Sequence, residues 1–316
     1  MQDYGPNINP LQKKPAESHD IIVKIIFIAF MALSILGFFK RYSNKNQIII
    51  SPLPETIISF FTDKPKDSQS LILRIKEIIE PMAGTWAIYY YDLTTNQNFG
   101  INQTMIFNAA SVNKIPILAS LYYLADKGEI NLEEKITLQK ADIQDYGTGS
   151  IRYDPPGSTY SIKTLARLMM EKSDNTAAFI LGRHVIGLDR IQQLIDSWGL
   201  SQTSMENDQS SLIDMITLLR KMYQGEITNQ ALTTEMIGFM DDSDFENRIP
   251  ALLPIDIKIY HKTGDYVGGL HDVGIINLPD HPYIFGIFTS DINNQDIALK
   301  TMAQISKEVF DFSTQN

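Results

Sequence analysis

Hydrophobic and polar residues follow four successive patterns along the chain. Residues 1–20 are polar and contain several prolines, which is typical of a disordered tail. Residues 21–39, IIVKIIFIAFMALSILGFF, are almost uninterruptedly apolar, and about 20 such residues suffice for a helix that spans a bilayer. Residues 40–69 contain three prolines and are interpreted as a stalk. A folded domain is predicted from residue 70 to residue 316.

The apolar run at residues 21–39 is predicted to be an uncleaved membrane anchor. Lys24 lies near one end, where its side chain can reach the headgroups, and Lys40 and Arg41 follow in place of a small-residue cleavage site. A buried core helix is the alternative, which is disfavoured because the run has no polar face. Positive charges flank the run in similar numbers on both sides, so they do not set its orientation.

Within the domain, the period of the apolar residues predicts helices and strands in segregated blocks. LILRIKEIIEPM has a helical period, and WAIYYYD, NFGIN and MIFN then alternate as strands do. The middle predicts helices over 112–127, 162–172, 176–185, 188–198, 211–223 and 233–240. Strands return in IKIYHKT, DVGIINL and YIFGIFTS, and a last helix covers 296–310. This order predicts an α+β fold, in which an antiparallel sheet is flanked by terminal helices and an all-helical subdomain is inserted.

Composition supports a globular domain and excludes several kinds of chemistry. The chain is 44% hydrophobic and carries a formal net charge of −10 without a long basic run, which argues against nucleic-acid binding. Because it has no cysteine, disulfides, thiolate metal sites and cysteine nucleophiles are excluded. None of the five histidines stands in an H-x-H or H-E-x-x-H motif, and no P-loop or G-x-G-x-x-G occurs. We therefore expect neither a metal ion nor an organic cofactor.

The segment AASVNK places Ser111 and Lys114 three residues apart, where a helix is predicted to begin. Residues at this spacing share one helical face, so the lysine amine can lie beside the serine hydroxyl. A lysine that is desolvated or placed near other cations can take the proton of a serine and activate it as a nucleophile. Taken alone, the pattern is more commonly a serine N-cap followed by a surface lysine one turn later.

Ser173, Asp174 and Asn175 form an S-D-N sequence that begins 62 positions after Ser111, between two predicted helices. In a functional interpretation, Ser173 relays a proton to the leaving nitrogen. Asn175 holds the substrate amide and the Lys114 side chain, and Asp174 is structural. The alternative is an ordinary helix cap, since all three residue types are common there.

Lys262, Thr263 and Gly264 stand at the end of the predicted strand IKIYHKT. Lys262 supplies positive charge, Thr263 supplies a hydroxyl donor for a substrate carboxylate, and Gly264 allows close approach of a substrate backbone. An exposed strand edge here would pair with an extended, peptide-like substrate. The alternative is a simple strand end.

The three motifs occur once each, in the order S-x-x-K, S-D-N and K-T-G, and in this the chain resembles class A β-lactamases and penicillin-binding proteins. The resemblance extends through FNAASVNKIPILASLYYLADKGEINLEEKITL, LMMEKSDNTAAFILGRHVIG and HKTGDYVGGLHDVGII. It covers roughly residues 71–312. It implies a β-lactamase/transpeptidase-like fold and a monomeric serine hydrolase whose catalytic domain lies outside the cytoplasm.

The resemblance also implies the roles of individual residues. Ser111 would attack the carbonyl of a β-lactam or of an acyl-D-alanyl amide of a peptidoglycan stem peptide, with Lys114 as the acylation base. The backbone N–H groups of Ser111 and Asp265 would form the oxyanion hole. Tyr146 is either an aromatic wall at the cleft mouth or a loop-packing residue. Arg248, 14 positions before Lys262, either supports the substrate carboxylate or is a solvated surface residue.

One departure from the family pattern concerns deacylation. Class A β-lactamases carry an E-x-x-L-N loop whose glutamate activates the hydrolytic water, but the corresponding segment here, LSQTSMENDQSSLIDM, is short and lacks that arrangement. Glu206 and Asp208 are interpreted as exposed loop acids, with a substitute base as the alternative. A missing base would give slow turnover, as in a penicillin-binding D,D-peptidase or a binding module that senses β-lactams or cell wall.

Overall fold

The computed structural model describes residues 66–241 and 243–315. The predicted tail, the predicted membrane anchor at residues 21–39 and nearly all of the predicted stalk lie outside this range. None of the helices within it is long and apolar enough to cross a membrane.

A five-stranded antiparallel sheet forms the centre of the fold, and its strands alternate or are apolar throughout, as their burial requires. The strands are β1 (Thr85–Asp92), β2 (Asn98–Ile101), β7 (Ile259–Tyr266), β8 (Gly269–Ile276) and β9 (Tyr283–Ser290). Their order in the sheet is β2-β1-β9-β8-β7, so β7 lies at an edge. β8 is buried along its whole length, and β9 is buried except at its last residue.

The two faces of the sheet belong to two different hydrophobic clusters. On β1, Trp86, Ile88 and Tyr90 join one cluster, whereas Ala87 joins the other, because successive side chains point to opposite faces. The terminal helices α1 (Ser68–Ile79) and α8 (Gln295–Thr314) contribute to the first cluster, and the inserted helical block contributes to the second. The sheet therefore separates the helices α1 and α8 from the inserted block.

Among the described residues, the inserted block contains six α-helices and three short strands. The helix α2 (Lys114–Asp126) is buried along most of its length, so it forms the centre of the block. The others are α3 (Ile162–Glu171), α4 (Asn175–Phe179), which continues as a π-helix (Ile180–Ile186), α5 (Leu188–Ser197), α6 (Leu212–Tyr223) and α7 (Gln230–Gly238). The short strands β4 (Lys135–Thr137) and β5 (Thr159–Ser161) pair together, and β6 (Gln209–Ser211) pairs with β3 (Ile106–Asn108).

The predicted α+β fold is confirmed, with local differences in the insertion. The block is not purely helical, because β4, β5 and β6 have three residues each and are too short for their period to be recognised. The helix predicted from residue 112 begins instead at Lys114, after a 3₁₀ turn over Ala110–Asn113. The strand predicted in MIFN exists as β3, but it pairs with β6 outside the main sheet.

Candidate active site

Ser111 lies in the 3₁₀ turn that leads into α2. Its neighbour Ala110 has a φ of +48°, in the left-handed region that alanine rarely adopts. The turn is held from outside, because the Ala110 N–H donates to Asn108 Oδ1 at 3.1 Å and the Ala109 N–H donates to the Asp208 carbonyl at 2.8 Å. Strain of this kind persists only where neighbouring contacts maintain it. Here the strained turn places Ser111 directly before the N-terminus of α2.

Lys114 is the first residue of α2, and its side chain is buried beneath Ser111. Its Nζ lies 2.9 Å from Ser111 Oγ, 3.0 Å from Ser173 Oγ, 2.7 Å from the Ser173 carbonyl and 2.8 Å from Asn175 Oδ1. Burial lowers the pKa of Lys114 well below its ordinary value, and the nearby charge of Lys262 lowers it further. The arrangement therefore favours a neutral amine, whose lone pair can accept a proton from the Ser111 hydroxyl.

Ser173 joins the two lysines of the site. Its Oγ lies 3.0 Å from the Nζ of Lys114 and 3.0 Å from the Nζ of Lys262. The residue is buried and has a φ of +49°, and its carbonyl also accepts a hydrogen bond from Thr148 Oγ1 at 2.8 Å. A hydroxyl held between two amines is positioned to pass a proton from one side of the cavity to the other.

Asp174 and Asn175 fix the loop that closes one side of the site. The buried Asp174 carboxylate accepts the backbone N–H groups of Ser150, Ile151 and Ala177 at 2.7–2.9 Å, the last of which caps α4. Asn175 donates its amide to the Tyr146 carbonyl at 3.0 Å while its Oδ1 accepts from Lys114. Asp174 thus fixes the backbone of the loop, whereas Asn175 also contacts Lys114, one of the reacting groups.

The K-T-G sequence lies on the edge strand β7, directly against the Ser111 turn. Lys262 is buried, and burial lowers the pKa of its amine to about 7. A Cβ on Gly264 would stand 2.9 Å from the Ala109 carbonyl and 3.0 Å from Val112 Cγ2, so only glycine fits this close approach. Glycine therefore brings the strand and the serine turn together.

Arg248 is buried, so the interpretation of it as a solvated surface residue is wrong. One guanidinium nitrogen donates to the His271 carbonyl at 2.6 Å, and another forms an ion pair with Asp265 Oδ1 at 2.5 Å. Arg248 thus contacts Asp265, the residue that follows K-T-G. The Asp265 side chain is 51% exposed and lines the cavity. The family resemblance implied a role only for the backbone N–H of Asp265, so the contact of its side chain with Arg248 is an addition.

His261 and His271 are strand residues on β7 and β8, next to the site. His261 Nδ1 lies 2.8 Å from Asp272 Oδ1, and both side chains are buried on β7 and β8. Burial alone would lower the pKa of His261, but the Asp272 and Glu246 carboxylates outweigh it and raise the pKa to about 9. Burial lowers the pKa of His271 to about 4, so this ring stays neutral. The two rings buttress the strands behind K-T-G.

A cavity of about 620 Å³ opens over these groups, which is a volume suited to a small molecule. Tyr146 also lines it and is 64% exposed. Of the predicted site residues, the cavity is lined by Ser111, Lys114, Tyr146, Ser173, Asn175, Thr263 and Asp265. Within residues 66–241 and 243–315, no group of three His, Cys, Asp or Glu side chains is arranged to hold a metal ion.

Asn113 and Asp208 also line the cavity; Asn113 was not predicted to belong to the site, and Asp208 was considered only as the alternative, a substitute base. The interpretation of Asp208 as an exposed loop acid is wrong, because the residue is half-buried and its carboxylate accepts Asn113 Nδ2 at 2.6 Å. Burial raises the pKa of Asp208. Glu206, by contrast, is exposed at the cavity rim. The pairing joins residues 95 positions apart, so no local motif signalled it.

The model of the β-lactamase enzyme family matches residues 70–313, which is most of the chain. The chain belongs to the β-lactamase enzyme family. It is similar to β-lactamase VEB-1 of Pseudomonas aeruginosa, with 24% identity over 274 residues that cover 76% of this chain and 91% of the relative. β-Lactamase BRO-1 of Moraxella catarrhalis is 25% identical over 240 residues, which cover 69% of this chain and 74% of the relative.

Among solved structures, PBP-A has the same fold, with a TM-score of 0.73 and 26% identity over 79% of this chain and 98% of its own. A variant of PBP-A has been solved as an acyl-enzyme complex with penicillin G. The family match and these relatives show that the protein is a hydrolase of the serine β-lactamase type.

Proposed function

We propose that the protein hydrolyses β-lactams through an acyl-enzyme intermediate on Ser111. The observation that carries this proposal is the contact of 2.9 Å between Lys114 Nζ and Ser111 Oγ, at the base of a cavity of small-molecule size. A buried amine with a lowered pKa is the base that an otherwise weak serine nucleophile needs. The relatives support β-lactams as the substrate class.

Acylation in this proposal proceeds in two proton transfers. Lys114 takes the proton of Ser111 as Oγ attacks the lactam carbonyl, and the N–H groups of Ser111 and Asp265 stabilise the developing oxyanion. The tetrahedral intermediate then collapses, the lactam C–N bond breaks, and the leaving nitrogen receives a proton through the Ser173 hydroxyl. The contacts of Ser173 Oγ with Lys114 and Lys262, both at 3.0 Å, support this path. At the end of acylation, Lys114 is neutral again and the carbonyl carbon is bonded to Ser111 Oγ.

The second candidate function is that of a penicillin-binding D,D-peptidase or a slow-turnover module that senses β-lactams or cell wall. It is favoured by the absence of the E-x-x-L-N arrangement from residues 200–215. An acyl-D-alanyl amide is attacked in the same way as a lactam, so the Ser111 chemistry is shared. For either function, we propose a monomer anchored by residues 21–39, with the catalytic domain outside the cytoplasm, where both substrates occur.

Turnover separates these candidates. We expect the fragment from residue 66 onward to hydrolyse a chromogenic β-lactam in many turnovers, and we expect Ser111→Ala to abolish the reaction. Release of D-alanine from a D-alanyl-D-alanine peptide is measured in parallel. A single stoichiometric burst with the β-lactam, combined with steady release of D-alanine, would support the D,D-peptidase instead.

The Asp265 carboxylate is expected to reduce the affinity for anionic substrates. It forms an ion pair with the Arg248 guanidinium. A substrate carboxylate beside Thr263 would therefore be repelled by the charge of Asp265 as well as attracted by that of Lys262. Asp265→Asn keeps an oxygen acceptor for Arg248 but removes that charge. We expect the acylation efficiency with a penicillin to rise on the order of tenfold, since partly screened charges a few ångströms apart interact by a few kcal/mol at most.

The control for this prediction is the methyl ester of the same penicillin, which carries no carboxylate. Its acylation by the Asp265→Asn variant should match that by the wild type. An equal change with both compounds would mean that the substitution altered the oxyanion hole or the strand, and that charge at residue 265 does not select the substrate.

A further inference from the structure

Asp208 and Asn113 form a polar pair beside the nucleophile that the acylation steps do not use. The Asp208 carboxylate accepts the Asn113 amide at 2.6 Å, and its backbone carbonyl accepts the Ala109 N–H at 2.8 Å. Asp208 is therefore attached to the chain on both sides of Ser111. A φ of +51° at Asp208 adds backbone strain that these contacts maintain.

The Asp208 carboxylate interacts with groups on either side of Ser111 and lines the same cavity. Burial raises its pKa, while the Asn113 amide, the Ala110 N–H and the Lys114 amine act in the opposite direction. Ala110 is the residue before Ser111, and the Lys114 amine contacts Ser111 Oγ. Both Asp208 and Asn113 line the same cavity as Ser111.

Asn113 has an unsatisfied acceptor at this position. Its Nδ2 donates to Asp208, whereas its Oδ1 is buried and has no hydrogen-bond partner among the described residues. Asn113 as a whole is only 7% exposed. A buried polar atom without a partner is rare in folded proteins and calls for an explanation, such as a bound water or a catalytic role.

We propose that Asp208, positioned by Asn113, is the general base that activates the water that hydrolyses the acyl-Ser111 ester. This inference rests on the proposed function, since it requires an acyl-enzyme on Ser111. The water would donate one hydrogen to Asp208 and, after a small shift of the amide, the other to Asn113 Oδ1. The pair would thus take over the task of the glutamate of the E-x-x-L-N loop, an arrangement that this sequence lacks.

The proposed hydrolysis consumes only the acyl-Ser111 ester and one water molecule. The water oxygen bonds to the ester carbonyl carbon as its proton moves to the Asp208 carboxylate. The tetrahedral intermediate then collapses, and the bond between the carbonyl carbon and Ser111 Oγ breaks. Ser111 Oγ receives the proton that Asp208 took, by way of Lys114. The products are the free acid of the opened lactam, the Ser111 hydroxyl and an ionised Asp208, so no other reactant is needed.

The test is a comparison of acylation and deacylation in Asp208→Asn. Acylation is followed by intact mass in the first seconds after mixing with penicillin G, and deacylation by the decay of the adduct after excess drug is removed. Acylation should stay within about threefold of the wild type, while decay should slow by about 100-fold or more, the usual contribution of a general base. Asn113→Ala, as a positioning variant, should show the same split with a smaller effect on decay.

Glu206→Gln is the matched control, because Glu206 lies two residues before Asp208 and also lines the cavity but is exposed. Its adduct should decay at the wild-type rate. If the Asp208→Asn adduct decays as fast as the wild-type adduct, or if the wild-type adduct does not decay at all, Asp208 is not the base and the acylation mechanism stands. If no adduct forms on the wild type, the proposed function fails together with this inference.

Discussion

Replacement of Lys114 by methionine should slow acylation of Ser111 by about 10²–10⁴-fold, the range that general bases contribute. Methionine has a similar length and removes the amine that lies 2.9 Å from Ser111 Oγ. The rate of the wild type should fall as the pH is lowered through the lowered pKa of Lys114, since the protonated amine cannot accept a proton. This limb of the pH profile should be absent from the variant. Stopped-flow acylation with a fluorescent penicillin measures both effects.

The stability of Lys114→Met distinguishes a catalytic loss from a folding defect. Lys114 is buried beside a second amine, Lys262, so the protein carries an unfavourable electrostatic interaction at this position. We therefore expect the variant to unfold at the same or a higher urea concentration. Lys163→Met, which removes a partly exposed amine paired with Glu133 and Glu235, is the control and should acylate normally. A normal acylation rate in Lys114→Met would contradict the assignment of the base.

Replacement of Asp174 by alanine should lower the free energy of unfolding by about 3 kcal/mol or more, because it leaves three backbone N–H groups without their charged acceptor. The carboxylate is 1% exposed and accepts from Ser150, Ile151 and Ala177. These contacts fix the loop that carries Tyr146 and the first turn of α4, so acylation should weaken as well. Urea unfolding measures the loss of stability.

Asp189→Ala provides the comparison for Asp174. Asp189 is an exposed acid in the first turn of α5, and its removal should change stability by no more than about 0.5 kcal/mol. Equal unfolding midpoints for the two variants would mean that the hydrogen bonds of Asp174 contribute little, and that the S-D-N sequence is held by other contacts.

The fold was predictable to the extent that burial leaves a period in the sequence. The strand YIFGIFTS was predicted with the bounds of β9, and the helix predicted over 211–223 differs from α6 by one residue. Both elements lie against the core, where packing and periodicity agree. The last two residues of the turn at 110–113, residues 112 and 113, were predicted as helix because they continue the helical pattern of α2. The 3₁₀ geometry of the turn depends on Asn108 and Asp208, which act from outside the segment.

In the site, residues within the three motifs were predictable, whereas the partners that act on them were not. Ser111, Lys114 and Ser173 are adjacent, as the motif order implied. The pairs Arg248–Asp265 and Asn113–Asp208 join distant parts of the chain through single side chains. An isolated acid or arginine has the same appearance in sequence whether it is solvated or buried, so only the tertiary structure distinguishes the two.

The central claim is that Ser111 forms a covalent acyl-enzyme with a β-lactam. The most direct measurement is the intact mass of the protein after brief exposure to penicillin G, followed by digestion and mapping of the modified peptide. We predict an increase by the mass of one penicillin molecule, carried by the peptide that contains Ser111. An unchanged mass, with no hydrolysis of the drug, or an adduct on any other residue would contradict the account.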